Sequence, residues 1–276
     1  MSYIVNSNTT ISNNIEHKYA RSNLASRIFS NKKMKKALLF AAGMGTRLKP
    51  LTDVMPKALV PIDGKPLLEI TLNRLIHHGF NEIVINVHHY AEQIINYVNS
   101  HNFPANIYIS DESEQLLETG GGLKKALDLF TKDDSPILLH NVDILSNANL
   151  HDFYESSRDK IAHLMVSKRH TNRLLLFDNA NHLKGWQNIT SGEIRSPYPN
   201  LDITVLHPWA FSGIHCVSPD IHFFMKECPQ KFSIIDFYLS ICNKVDIDCY
   251  IDADLKLLDV GKQETLKIAE DFLTKY

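Results

Sequence analysis

Apolar residues follow two rhythms along the chain, and the rhythms alternate. A continuous run, Ala37 to Ala42, leads into a glycine-rich turn and then Pro50, Pro56, Pro61 and Pro66. Proline fixes φ and has no N–H to donate, so this stretch predicts a stiffened loop rather than a long helix. Leu68, Leu72, Leu75 and Ile76 keep the spacing of one helical face up to Gly79, where a helix can end. Glu82 to Val87 and Asn106 to Ser110 read as strands, with a helix from Ala91 to Val98 between them. Leu123, Ala126, Leu127 and Phe130 mark another helix, and Pro136 to Val142 has the nearly unbroken apolar content of a strand covered on both faces. Repeated strand–helix units predict an α/β fold with a mainly parallel central sheet flanked by helices.

Beyond Leu150 the order loosens. Ala162 to Ser167, Leu174 to Phe177, Ile203 to Leu206 and Phe211 to Val217 are short β-like runs between turn-rich stretches, which predicts a small, partly antiparallel layer. A helix over Ser233 to Asn243, a strand near Asp248 to Ile251 and a closing helix over Gln263 to Lys275 complete the pattern. Residues 1–33 carry scattered Asn and Ser, five basic residues and Glu16 as their one acid, with no sustained apolar period. They read as a disordered or non-core extension before a single domain, 34–276. An organelle transit peptide is the rarer alternative.

Composition narrows the function classes. The 276 residues are 44% hydrophobic and 22% charged, with a formal charge of −2. That balance provides no basic face for nucleic acid or a membrane surface, so phosphate chemistry would need locally placed cations. No apolar run approaches the roughly 20 residues needed to span a bilayer. Cys216, Cys228, Cys242 and Cys249 contain no C-x-x-C pair, and a reducing cytoplasm is the simplest setting.

Four strings carry candidate chemistry. The first runs from Leu39 to Thr52 (LFAAGMGTRLKPLT), followed by Pro56-Lys57. Gly43 and Gly45 after a strand let backbone N–H groups close around an anion. Arg47 adds a planar donor fork and Lys57 a compact charge, so a triphosphate would sit well here. The third glycine of a dinucleotide fingerprint is missing, and no G-x-x-x-x-G-K-[ST] string occurs. A G-x-G turn alone is usually no more than a tight turn; the specificity lies in the whole string. The second, Leu117 to Gly122 (LETGGG), reads as a glycine turn capped by Thr119 that opens the Leu123 helix and exposes N–H groups. The third, His140-Asn141-Val142-Asp143, ends the apolar strand at the edge where open parallel sheets bind ligands, and Asp143 is placed to hold Mg²⁺ through oxygen. The fourth, Leu258-Asp259-Val260-Gly261, is weak by itself.

Together these strings resemble the sugar-nucleotide pyrophosphorylases, the sugar-1-phosphate nucleotidyltransferase family, over roughly residues 36 to 270. The resemblance implies the nucleotide-diphospho-sugar transferase fold, with a nucleotide-binding half at 34–150 and a sugar-binding half at 151–276. It implies that Ala41, Ala42, Gly43, Gly45 and Thr46 clamp the triphosphate, that Arg47 holds the leaving pyrophosphate, and that Lys57 contacts the reacting phosphates. Glu118, Thr119, Gly120 and Gly121 would lie against the nucleobase and sugar, and Asp143 and Asp259 would share Mg²⁺. Val142 stands where the family usually has glycine, and Lys262 where it has threonine. The sugar side would draw on Asn141, the backbone at Gly213, and Asp236, each of which has a capping or packing role as its plain alternative. Trp186 is a stacking candidate that is more commonly a core residue.

The expected reaction joins a nucleoside triphosphate to a sugar 1-phosphate with release of pyrophosphate, in a cytoplasmic monomer or small homo-oligomer. Within the family, LETGGG and the short C-terminal segment look most like N-acetylmuramate 1-phosphate uridylyltransferases and mannose-1-phosphate guanylyltransferases. Three other readings stay open: a glycosyltransferase using Asn141-Val142-Asp143 as a D-x-D-like site, a phosphocholine cytidylyltransferase, and a non-catalytic pyrophosphorylase-like regulatory subunit.

Overall fold

The structure, a computed structural model, describes residues 34–276, so the expected extension 1–33 lies outside the described residues. The chain opens with β1 (Lys36–Phe40) and the short hairpin β2 (Pro61–Ile62) and β3 (Lys65–Pro66). It continues through α1 (Leu67–His77), β4 (Glu82–Val87), α2 (Ala91–Ser100), β5 (Asn106–Asp111), α3 (Glu118–Ala126), β6 (Ile137–Asn141), β7 (Ile144–Ser146) and α4 (Leu150–Ser156). The second part holds β8 (Ala162–Ser167), β9 (Arg173–Phe177), β10 (Leu183–Asn188), β11 (Ile194–Arg195), β12 (His207–Val217), α5 (Ile234–Ile241), β13 (Ile247–Ile251), β14 (Leu257–Asp259) and α6 (Gln263–Lys275).

Alternation along the central strands explains the layers. In β1, Ala37 and Leu39 point into one core while Leu38 and Phe40 point into the other. The same split separates Leu138 from Ile137 and Leu139 in β6, and Ile83 and Ile85 from Val84 in β4. Successive strand residues face opposite sides, so a run that is apolar throughout must be covered twice. Leu68, Leu72 and Leu75 of α1 with Ile94 of α2 cover one face; Leu123 and Ala126 of α3 with Phe237 and Tyr238 of α5 cover the other. Each such fully buried aliphatic side chain contributes roughly 1.5–3 kcal/mol.

β6, β1, β4 and β5 are parallel neighbours. The sheet turns antiparallel at β12, an 11-residue strand that pairs with β6 on one edge and with β8 and β9 on the other. The α/β expectation therefore holds, with the sheet mixed: parallel in the first part, mostly antiparallel in the second. Gly213, at φ +79, lies where the β12–β8 register shifts between Phe211 and His215. A positive φ inside a strand marks a local bend, and here the bend faces Asn141.

Two local expectations fail. Ile203 to Leu206, read as β-like, is a 3₁₀ turn at Ile203–Val205, because Asp202 accepts from the Thr204 N–H and caps it. The triple glycine is not a turn before a helix: α3 starts at Glu118 and contains all three glycines, with Leu117 at the N-cap position. The reason is packing. A Cβ at Gly121 would lie 2.0 Å from the Gln230 carbonyl oxygen, and one at Gly120 would lie 2.4 Å from the Phe232 ring. Glycine pays for its poor helix propensity here by letting the chain before α5 lie directly on α3.

A third, smaller core joins Leu48 of the proline-rich loop, Val60, Ile62, Leu145, Val260 and Ala269 of α6. It holds β14 antiparallel to β7, so Asp259 pairs with Ile144 and the Val260 N–H donates to the Asp143 carbonyl at 2.8 Å.

Candidate active site

The carboxyl ends of β1 and β6 open into a cleft of about 510 Å³. Its lining includes Ala41, Ala42, Gly43, Gly45, Thr46, Arg47, Lys57, Asn86, Glu118, Thr119, Asn141, Asp143 and Gly261. Stretches remote in sequence thus meet at one sheet edge, as the parallel topology requires.

The glycine turn is built for close approach. Gly45 sits at φ +63, and a Cβ there would meet the Thr52 methyl at 2.8 Å and Lys57 Cβ at 3.0 Å. Its carbonyl accepts from the Leu48 N–H and the Thr52 hydroxyl, each at 2.8 Å, which ties the turn to the loop that carries Lys57. Gly43 has nothing within 4 Å of its Cβ position, so that side of the turn faces open cleft.

Lys57 is 8% exposed and forms an ion pair and hydrogen bond with Asp143. A nearly buried ammonium needs such a partner, and the pair sets both charges at the cleft floor. The Arg47 guanidinium and an Asp259 carboxylate oxygen both lie over Gly261, where a Cβ would be 2.7 Å from each. Glycine at 261 is what allows cation and acid to share that space. Asp259 is exposed and borders the adjoining depression rather than the cleft itself.

Asn86, which lines the cleft, and Glu112 behind it were given no role by sequence reasoning. The Asn86 side-chain oxygen accepts from the Ala41 N–H at 2.7 Å and the Ala42 N–H at 3.3 Å, and its amide donates to Glu112 at 2.8 Å. The other Glu112 oxygen accepts from the Leu117 N–H at 3.0 Å. Burial raises the Glu112 carboxyl pKa, while the Leu117 and Asn86 hydrogen bonds oppose that rise. This pair couples the glycine turn to the start of α3, and Gly122 leaves room for it, since a Cβ would lie 2.9 Å from Glu112. The signal available in the sequence was a polar Asn between Ile85 and Val87 in a mostly apolar strand, β4.

Other expected residues are placed differently. Glu118 lines the cleft at φ +61, a conformation that costs a non-glycine residue about 1–2 kcal/mol. The Thr119 hydroxyl accepts from the Ile234 N–H, so it ties α3 to α5 instead of capping α3. The Gly120 and Gly121 N–H groups both donate to the Phe232 carbonyl, at 2.9 and 3.2 Å, and are buried. Gly213 lies against Asn141, whose amide nitrogen would be 2.9 Å from a Cβ there. Asp236 forms an ion pair with Arg195 outside the cleft, and Trp186 is buried with that guanidinium 3.9 Å from its ring centroid. His140, fully buried behind Asn141, donates from Nδ1 to the Asn141 carbonyl at 2.8 Å, and burial lowers its pKa to about 4. All four cysteines are free, and no helix among the described residues is long and apolar enough to cross a membrane.

The profile of the Nucleotidyl transferase family matches residues 36–173, half of the chain. The chain belongs to the nucleotidyl transferase family. Among its relatives, an N-acetylmuramate alpha-1-phosphate uridylyltransferase of Caulobacter vibrioides is 41% identical over 39% of this chain and 45% of its own length. A mannose-1-phosphate guanyltransferase of Neurospora crassa is 40% identical over 40% of this chain and 30% of its own. The chain thus spans less than half the length of either relative. The solved structure of HddC from Yersinia pseudotuberculosis in complex with GMP-PN covers 87% of this chain and 100% of its own, with TM-score 0.67 and 23% identity. That likeness bears on the nucleotidyl transferase fold.

Proposed function

We propose that this nucleotidyl transferase moves a nucleoside monophosphate from a nucleoside triphosphate to a sugar 1-phosphate. The observation that carries the proposal is the convergence, in one cleft, of the Gly43–Gly45 turn, Arg47, and the Lys57–Asp143 pair. In the reaction a sugar-phosphate oxygen bonds to the α-phosphorus, the bond from that phosphorus to the β-bridging oxygen breaks, and pyrophosphate leaves. No side-chain base is required, because a phosphate monoester has a second pKa of about 6 and is already dianionic at neutral pH. The obstacle is repulsion between two polyanions, which fixed cations and donors offset.

The N–H groups of residues 43–46 receive the triphosphate, because those of Ala41 and Ala42, expected to join the clamp, are taken by the Asn86 side chain. Arg47 holds the leaving pyrophosphate, and Lys57 steadies the reacting phosphates. Glu118 and Thr119 border the nucleoside, while Asn141, supported by Gly213, faces the acceptor. Asp143 and Asp259 stand on neighbouring chain segments and offer only hard carboxylate oxygen, a donor set that fits Mg²⁺. Bound there, the ion would neutralise charge on phosphate oxygens.

We assign the transferred group as uridylyl and the acceptor as an amino-sugar 1-phosphate such as N-acetylmuramate 1-phosphate, a choice supported by the 41% identity to the Caulobacter relative. Guanylyl transfer to mannose 1-phosphate is the second reading, favoured by the 40% identity to the Neurospora relative. The test is pyrophosphate release across the four nucleoside triphosphates and N-acetylmuramate, N-acetylglucosamine, glucose and mannose 1-phosphates, with and without Mg²⁺. Turnover peaking with UTP and an amino-sugar phosphate is expected. No pyrophosphate from any pair would remove the activity.

A further inference from the structure

A second depression, of about 810 Å³, opens over the antiparallel part of the sheet. It joins the first cleft through Arg47 and Ser233, which line both, and extends past Trp186 to Arg169, Arg173 and Arg195. Arg195 covers a face of the Trp186 indole, so the floor of this depression is cationic rather than an open aromatic platform. Its charge is answered by Asp236 and by Glu193, 3.6 Å away. Asp259, the remaining acid of the lining, lies beside Arg47 over Gly261.

That leaves Arg169 and Arg173, at the two ends of the β8–β9 connection. Arg169 Nη2 donates to the Phe211 carbonyl at 2.9 Å, which aims the side chain across β12. Both residues are exposed, both line only the second depression, and among the described residues neither guanidinium has a carboxylate partner. Two arginine forks at the end of an acceptor path suit a second anion, since each can bind an anionic oxygen pair bidentately. A neutral hexose brings nothing to match them.

Resting on the proposed transfer reaction, we infer that the acceptor is an acidic sugar 1-phosphate. Its 1-phosphate lies in the first cleft with the reacting phosphates, and its second anionic group, a carboxylate or a phosphate on the sugar, is received by Arg169 and Arg173. These two arginines are then specificity-determining residues.

The experiment compares N-acetylmuramate 1-phosphate and glucuronate 1-phosphate, which carry a carboxylate, and glucose 1,6-bisphosphate, which carries a phosphate, with neutral glucose and N-acetylglucosamine 1-phosphates. The expected kcat/KM is at least about tenfold higher for the acidic class, through KM, and Arg173→Gln and Arg169→Gln each lower the acidic-to-neutral ratio by about tenfold or more. The carboxylate and phosphate arms identify which anion the site takes. An unchanged ratio in both variants, or equal use of acidic and neutral acceptors by the native protein, overturns the inference while leaving nucleotidyl transfer intact. Calorimetric binding of the same compounds, native against Arg173→Gln, decides the matter if no pair turns over. Tighter binding of the acidic compounds that is lost in the variant supports the anion site, and equal binding removes it.

Discussion

The parallel and antiparallel parts of the sheet present charge in opposite ways. At the ends of β1 and β6 the polar groups are buried or half-buried and held by named partners: Lys57 and Asp143 by each other, Asn86 by two backbone N–H groups and Glu112, and the Asp143 carbonyl by the Val260 N–H. From the β8–β9 connection to β11, Arg169 and Arg173 stand exposed on a turn and a strand end, while Arg195 is half-buried and tied down on both sides. Under the proposed reaction this division has a physical sense. Charge that stabilises a transition state must not reorganise, whereas charge that selects a substrate need only be present when it arrives.

The largest effect that would break this contrast is at Asp143. Asp143→Asn is expected to lower kcat on the order of 10³-fold. It should also cost about 2 kcal/mol of stability, less than for a fully buried pair because the Asp143 side chain retains 20% exposure. Turnover within tenfold of the native protein would take the residue out of the mechanism.

Two glycines separate scaffold from site. Gly121→Ala forces a Cβ against the Gln230 carbonyl and should destabilise by about 3 kcal/mol or more, read as a lowered denaturation midpoint. Gly43→Ala meets no atom of the described residues within 4 Å, so stability should stay within about 1 kcal/mol while nucleotide KM rises. If the two variants exchanged phenotypes, the assignment of packing to α3 and ligand approach to the β1 turn would be wrong.

A last test probes the seam between the parts. His140 in β6, His215 in β12 and His163 in β8 are buried on adjoining strands, and burial lowers their pKa values to about 4, 3 and 4. The unfolded chain takes up these protons first, at about 6.5. The neutral histidines therefore contribute stability that is present above pH 6.5 and is lost as pH falls toward 4, on the order of 3 kcal/mol each. Denaturant titrations between pH 7.5 and 4.5 should show the decline. His163→Phe should flatten the slope, because His163 stacks on Phe153 and neither of its ring nitrogens has a hydrogen-bond partner among the described residues. An unchanged slope would show that His163 does not titrate in this range.

Much of this was legible before any coordinates. The apolar runs of β1, β4 and β6, the helical face of α1 and the closing helix α6 follow from periodicity. The Gly43–Gly45 turn, Arg47 and Lys57 follow from a string whose residue types suit a polyphosphate, and Asp143 from its place at the end of an apolar strand. The LETGGG segment was misread because glycine signals a turn in local terms, while here it answers to the backbone of Gln230 and the ring of Phe232. Asn86 and Glu112 were passed over because a single polar residue in a strand has no local signature of the N–H groups it will meet.

Local sequence determined most of the strands and helices and that the β1 turn could approach an anion, since burial on alternate or every third and fourth residue is a property of neighbours along the chain. It also placed Asp143 at a strand end. The tertiary structure alone decided that Asp259 would be carried beside Asp143 by the β14–β7 pairing, that Lys57 would neutralise Asp143, and that Arg169 and Arg173 would stand, among the described residues, without acidic partners at the far side of the second depression. Those outcomes depend on strand pairing and close packing between segments remote in sequence, where one register brings charges together and another would have left them in water.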